Sequence, residues 1–536
     1  MMPARIQNER GADVRTFDLT AIKARLTSGA RDESGAAAII FALALVLLAP
    51  LTLGVFDIYI ASNQRQKLQD ALDAAALYAA RSSAQTETDI NEIGQRALKA
   101  NLQSFTGSAL ITSSFKLDGA KVIGSAEMTP LALAAGFFQH GNVTATSEVL
   151  RAMDRLEVAL VLDNTGSMAG TKLSTLKTAA KDLVDKLEAA GNRSTADDPI
   201  KISLVPFSST VRVAHNVSVK NYNTSTHTGP DIPLWIDPQA KAHWAAGVDI
   251  FDVQHTDRFG VLKSMKGGQV WGGCVESRRP PYDVKDTAPF KSDMASYFVP
   301  YFAPDEPDKD EGYWSFANDY LNDGTNSSDW KTRQHRTAKY SNKTPSGGGP
   351  NEGCDLQPIK RLTTDMDGLK NAIDDMVASG TTDIPMGLVW GWHTLSPNAP
   401  FEDGAAYGAK NNRKIIILMT DGDNVNNTTA WYNYNGSYYG GRAYLWQGLL
   451  DGANEGSSGA ARTQAMDNRL ALLCENIKAK DIVLYTVRVE VRTGDSALLR
   501  NCATDPEKFY DVQYVSQLGA AFDAIAGSID NLRITK

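Results

Sequence analysis

The chain has 536 residues, of which 43% are hydrophobic and 22% charged, with a formal net charge of −8 and a pI near 5.5. This composition excludes a disordered chain, and the length allows two or three domains with cores of their own. The acidic balance is spread along the chain with no basic stripe, which argues against nucleic acid as the partner.

Residues 35–56, GAAAIIFALALVLLAPLTLGVF, run without a charge. Roughly 20 helical residues cross a bilayer core, whereas the apolar region of a cleaved signal peptide is only about 7–15 residues. We expect a single transmembrane helix over 35–57, with Pro50 tolerated inside it; a buried soluble helix is the alternative. Arg5, Arg10, Arg15, Lys23, Arg25 and Arg31 precede the span, and Asp57 follows it. The Lys/Arg bias places residues 1–34 in the cytoplasm. The remainder then lies outside, which for a bacterial inner-membrane protein means the periplasm or beyond.

In 62–81 the residues Leu68, Leu72, Ala75 and Ala79 recur at helical spacing, so the span is expected to continue into an amphipathic stalk that needs a packing partner. Short strand-like runs then suggest a small α+β module, giving a 58–150 segment in all. From 151 to the end, strands and helices alternate. RLEVALVL, IKISLVPF, KIIILMT and DIVLYTVRV read as strands; KLSTLKTAAKDLVDKLEAA, LKNAIDDMVASG, MGLVWGWHTL, TQAMDNRLALLCENIKAK and the C-terminal stretch read as helices. Nearly continuous β-branched and Leu runs are the mark of strands covered on both faces. The expected fold is therefore α/β, a doubly wound and mostly parallel sheet.

Two stretches interrupt the rhythm, at about 214–360 and 425–459, both rich in Trp, Tyr, Gly and Asn. A structureless loop as long as the first is improbable, so we expect an inserted subdomain. Its aromatics would form either a recognition face or a small core of its own. Within it, Asp305, Glu306, Asp308, Asp310 and Glu311 lack the ligand order of a calcium loop and read as a solvated loop. The four cysteines, Cys274, Cys354, Cys474 and Cys502, include no CxxC pair. In an oxidising compartment an even count suggests disulfides; Cys274–Cys354 and Cys474–Cys502 are the pairs that each stay within one segment.

The residues with chemistry stand at strand ends. LVLDNTGSM closes the first strand of the α/β part, and MTDGD closes another. In doubly wound sheets both fall on the carboxyl edge, where sites form. Asn164 stands where a P-type ATPase needs Lys after its phosphorylated Asp, and where an aspartic protease needs the acid before Thr-Gly. A third reading is a divalent-cation site of hard oxygen ligands. Asp163, Thr165 and Ser167 alternate, Thr382 lies in ASGTTDIPMG just before a helix, and Asp421 follows a third strand.

Together these three loops, in this order, resemble the metal-ion-dependent adhesion site of von Willebrand factor A domains, over 154–536. The departure is Thr165 where Ser is commoner. The resemblance implies Mg²⁺, with Ca²⁺ or Mn²⁺ as alternatives, held by Asp163, Thr165, Ser167, Thr382 and Asp421. It also implies an open coordination position that accepts an Asp or Glu from a partner protein. Separately, residues 31–81, especially GAAAIIFALAL followed by LQDALDAAALYAA, resemble the start of TadG-type proteins of tight-adherence (Flp) pilus assembly. WGGCVESR, GCDLQPIKRLTTD, GLVWGWHTLSP and IAGSIDNLRI are similar to members that carry a von Willebrand A domain. Counting from Gly35, the position where related pseudopilins need Glu for processing is Ile40, so the helix is expected to stay as an anchor.

The reading that results is a membrane-anchored, outward-facing protein of pilus assembly or adhesion, binding protein partners and other pilus components through a metal. A general surface adhesin is the alternative in the same class, and a metal-dependent hydrolase the alternative in another. No nucleophile–base pair accompanies the site, so no enzymatic role is expected. The seven His are scattered; His393 reads as a packing or surface residue.

Overall fold

The computed structural model describes residues 35–536 except 83, 85, 104–108, 119–120, 131–140, 151–154, 193, 195–196, 252–255, 309–317, 326, 410–411, 428–432, 491–496 and 535–536. The segment expected in the cytoplasm, 1–34, lies outside the described residues. The chain divides into two compact units, Met1–Leu150 and Arg151–Lys536.

In the first unit one helix, α1 (Gly35–Arg81), carries both the apolar span and the stalk. Its first part is exposed: Phe41 is 69% exposed and Leu47 71%. Among the described residues α1 alone is long and apolar enough to cross a membrane. Further along, Leu68, Leu72, Ala75 and Ala79 are fully buried. They pack against α2 (Glu87–Leu102) and an antiparallel sheet of β1 (Ala109–Asp118), β2 (Lys121–Thr129) and β3 (Val143–Leu150). The stripe that needed a partner finds it within its own unit.

The second unit is built on β4 (Arg155–Asp163), β5 (Ile200–Phe207), β6 (Val211–Arg212), β7 (Cys274–Val275), β8 (Lys360–Thr363), β9 (Asn412–Thr420), β10 (Val483–Val489) and β11 (Phe509–Val512). Its main helices are α3 (Thr171–Gly191), α4 (Met366–Asp374), α5 (Ile384–Leu395), α6 (Gly459–Lys478) and α7 (Leu518–Ile534). The strand order is β11-β10-β9-β4-β5-β6-β7, with β8 beside β5. The first five are parallel; β6, β7 and β8 pair antiparallel. Alternation of side chains makes two cores. Leu156, Val158, Leu160 and Leu162 of β4 join one with α3, α4 and α7, while Ala159 and Val161 join the other with α5 and α6. This is a mixed α/β unit around a parallel centre.

Three expectations change. The helix expected over 369–380 ends at Asp374, and 375–383 forms a loop. The backbone there bonds to the loop after β4: Ser379 N donates to Asn164 O at 2.7 Å, and Gly166 N to Gly380 O at 3.0 Å. Gly380, at φ +78°, makes the turn. Within the insertion 214–360, Cys274, Tyr301, Ala303 and Cys354 form a small buried cluster, but most of its buried aromatics join the core of the sheet. Trp271, Phe298, Phe302 and Tyr340 share one apolar cluster with Val161 and Trp390. The reason lies in α5, all twelve of whose residues are buried; an apolar helix of this kind needs cover on its outer side. Phe298 supplies it, 4.9 Å from the ring of Trp390 and 5.3 Å from that of His393. Finally, Asp305 and Glu306 are buried, not solvated. Lys339 Nζ meets Asp305 Oδ2 at 2.6 Å and Asp323 Oδ1 at 2.9 Å, and such pairing is what makes burial of the acids tolerable. Asp310 and Glu311 lie outside the described residues. The cysteines are bonded as Cys274–Cys354 and Cys474–Cys502.

Two glycines bring α5 onto the sheet. A Cβ on Gly391 would stand 2.3 Å from Val161 Cγ2, and one on Gly387 would stand 2.4 Å from Phe207 Cγ. Gly391→Ala and Gly387→Ala should each lower stability by about 1–3 kcal/mol through overpacking, read by denaturant unfolding. Unchanged midpoints would show that the helix can lift from the sheet without cost.

Candidate metal centre

The chain reverses its winding at β4. From β4 it passes through α3 to β5 on one side, and β9 lies on the other side, leading through α6 to β10. Those two helices cover opposite faces, so a crevice opens at the carboxyl ends of β4 and β9. Asp163 ends β4, and Asp421 directly follows β9.

The β4–β9 ladder runs as far as Met419 opposite Leu162, leaving Thr420 beside Asp163. Thr420 Oγ1 donates to Asp163 Oδ2 at 2.6 Å, and Thr165 N donates to Asp163 Oδ1 at 2.8 Å. The short 3₁₀ turn Gly166–Met168 curls the chain back, so the Thr165 and Ser167 hydroxyls lie 3.0 Å apart. Ser167 Oγ then donates to Asp421 Oδ1 at 2.7 Å. Four of the five expected ligands thus form one connected cluster. The fifth, Thr382, is buried with its hydroxyl 3.6 Å from where a Cβ on Gly422 would stand, next to Asp421. Its carbonyl accepts from Val425 N at 2.8 Å, which ties the second loop to the third.

Asp163 has no exposed surface. Burial pushes its carboxyl up to about 6; the Thr165 and Thr420 hydrogen bonds oppose the rise, and the charge of Asp421 adds to it. A fully buried carboxylate held by two neutral donors, beside a second acid and two hydroxyls, suits a hard dication, which would offset the burial. The donor set therefore fits Mg²⁺ or a similar ion. Among the described residues no three His, Cys, Asp or Glu side chains gather as a metal group, so such a site depends on its hydroxyls.

Two neighbours were not among the expected site residues. Lys172 Nζ donates to Asp421 Oδ2 at 2.6 Å and stands 3.9 Å from Glu490 Oε2. A cation in the first turn of α3 works against the helix dipole, and that is the signal the sequence offered. Arg442, from the second insertion, forks onto Asp383 at 2.6 and 3.0 Å. Asp383 also caps α5 through Met386 N, which fixes the loop carrying Thr382. Nothing in the spacing of the sequence joins residue 442 to residue 383.

Residues 35–82 match a family model described as putative Flp pilus-assembly TadE/G-like. No curated protein sequence matches the chain. Among solved structures it is similar to the pilus adhesin SpaC from Lactobacillus rhamnosus GG, at 11% identity and a TM-score of 0.31, over 79% of this chain and 34% of that one. It is also similar to the vWF domain of the type V pili tip protein Mfa5 from Porphyromonas gingivalis, at 13% identity and a TM-score of 0.32, over 72% and 97%. A third is proximal thread matrix protein 1 from the mussel byssus, described with a zinc-occupied MIDAS motif, at 10% identity and a TM-score of 0.27, over 71% and 46%. The chain thus spans about a third of the length of SpaC.

The raised Asp163 carboxyl has a sign that can be checked. Its folded value exceeds the unfolded one, so without metal it stabilises the fold below about pH 4, and that contribution is lost as pH rises through about 6. The loss amounts to about 3 kcal/mol at most. In chelator, Asp163→Asn should remove this fall, so that wild type and variant diverge between pH 4.5 and 7 in urea unfolding. Parallel pH profiles would contradict the burial argument.

Proposed function

We propose that the chain is a membrane-anchored pilus-assembly or adhesion protein whose outward-facing unit binds partner proteins through a metal-ion-dependent adhesion site. The observation that carries this reading is the meeting of three loops at one crevice, with Asp163, Thr165, Ser167 and Asp421 in a single hydrogen-bonded cluster. In this reading these four residues and Thr382 hold a Mg²⁺ ion. Two carboxylates and neutral hydroxyls would leave the coordination of a hard dication unfulfilled, and the bound ion would supply a Lewis-acidic position for a partner's Asp or Glu. The family match over 35–82 and the exposed apolar part of α1 support an anchor in the inner membrane. The basic residues ahead of the span support a cytoplasmic N-terminus. A binding role is supported further by the ring nitrogens of His393, which are buried against Phe298 and Trp390 and unavailable as a base.

Calorimetric titration of Mg²⁺ into the full chain in detergent tests the proposal. Asp163→Ala and Asp421→Ala should each weaken binding by at least about 100-fold, with circular dichroism unchanged. Wild-type affinity in both variants would remove the site.

A further inference from the structure

One cation stands among the acids of the crevice, in a place that opposes it. Lys172 lies in the first turn of α3, where the helix dipole is positive and no acidic side chain shares the turn. Its side chain is only 25% exposed. Two carboxylates hold it there: Nζ donates to Asp421 Oδ2 at 2.6 Å and stands 3.9 Å from Glu490 Oε2. Asp421 follows β9 and Glu490 follows β10, so the ammonium bridges the ends of two neighbouring parallel strands. Glu490 is itself fixed. Its N donates to Val512 O at 2.8 Å, and its Oε1 accepts from Val515 N at 3.0 Å, leaving Oε2 for Lys172.

Both oxygens of Asp421 are taken, one by Ser167 Oγ and the other by Lys172 Nζ. The two donors differ in what they can offer an incoming dication. A hydroxyl that turns its proton away presents a lone pair, whereas an ammonium has none and carries charge of the same sign. Ser167 can therefore stay as a ligand, but Lys172 has to give up Asp421. Its charge then needs another acceptor, and Glu490 is within reach. The charges balance as well, with Asp163, Asp421 and Glu490 ionised against Lys172 and one dication. Without Glu490 the ammonium would be left over beside the ion.

We infer that Lys172 and the metal compete for Asp421, and that Glu490 is the acceptor that receives the displaced ammonium. This exchange rests on the metal-centre reading and deepens it. Lys172 raises the ion concentration at which the site fills and Glu490 lowers it, although neither is a ligand. The position offered to a partner's acid therefore opens at a threshold of divalent ion. None of the loop motifs includes either residue, and the family match ends at residue 82.

Calorimetric Mg²⁺ titration of the full chain in detergent tests the exchange in wild type, Lys172→Met, Glu490→Gln and the double variant. Gln at 490 can still accept from Val515 N, so that variant removes charge with little change of shape. Lys172→Met should bind Mg²⁺ at least about fivefold more tightly, and Glu490→Gln at least about threefold more weakly. In the Lys172→Met background the Glu490→Gln loss should largely vanish, because no ammonium remains to be received. Urea unfolding gives a second readout. In chelator, Lys172→Met should lower the midpoint by leaving Asp421 without its cation, and saturating Mg²⁺ should close most of that gap. Equal Mg²⁺ affinity in wild type and Lys172→Met, or a Glu490→Gln loss of the same size in both backgrounds, overturns the exchange and leaves the metal site in place. Wild-type affinity in Glu490→Gln overturns it too, whether or not Lys172→Met folds. Absence of Mg²⁺ binding in wild type and Lys172→Met alike removes the metal-centre reading, and the exchange with it.

Discussion

Two carboxylates held close together away from water form the constraint on which the rest of the crevice depends. Asp163 is wholly buried and Asp421 nearly so, and the charge of Asp421 adds to the cost of ionising Asp163. The protein meets that cost with directed donors. Thr165 N and Thr420 Oγ1 take the two oxygens of Asp163, and Ser167 Oγ and Lys172 Nζ take those of Asp421. Lys172 is the only full positive charge touching the pair among the described residues, and it touches one acid alone. A dication placed between them would satisfy both at once.

Holding such a cluster requires loops that cannot wander, and the packing supplies that. The loop after β4 is bonded to the second loop through Ser379, Gly380 and Asn164, and Asn164 Nδ2 reaches Val377 O at 3.0 Å. The second loop is in turn held by Asp383, which caps α5 and receives Arg442. The helix itself lies against the sheet through two glycines, and the long insertion closes its outer side. The insertion therefore acts on the site by covering the helix that presents Thr382.

Much of this architecture was legible in the sequence because it rests on local pattern. The both-sided burial of β4 and β9 was plain in RLEVALVL and KIIILMT, and the stalk in the spacing of Leu68, Leu72, Ala75 and Ala79. The cluster was legible in part, since Asp163, Thr165 and Ser167 are near neighbours and Asp421 ends a strand. What escaped depends on contacts distant in the chain. Arg442 finds Asp383 across 59 residues, and Lys172 finds Asp421 across 249. The acids at 305 and 306 read as solvated because the residues that bury them, Lys339 and Tyr444, stand far away in sequence. The end of α4 was misplaced for the same reason. Ser379 bonds outward to Asn164, and helical propensity carries no trace of that partner.

The central claim is that one divalent ion sits between Asp163 and Asp421. The most direct test is a crystal structure of the protein grown in Mn²⁺, read by its anomalous difference map. The account predicts a single strong peak in this crevice, at coordination distance from the oxygens of Ser167 and at least one of the two acids, with Lys172 drawn away from Asp421. A map with no peak there, and Lys172 still bonded to Asp421, would contradict it.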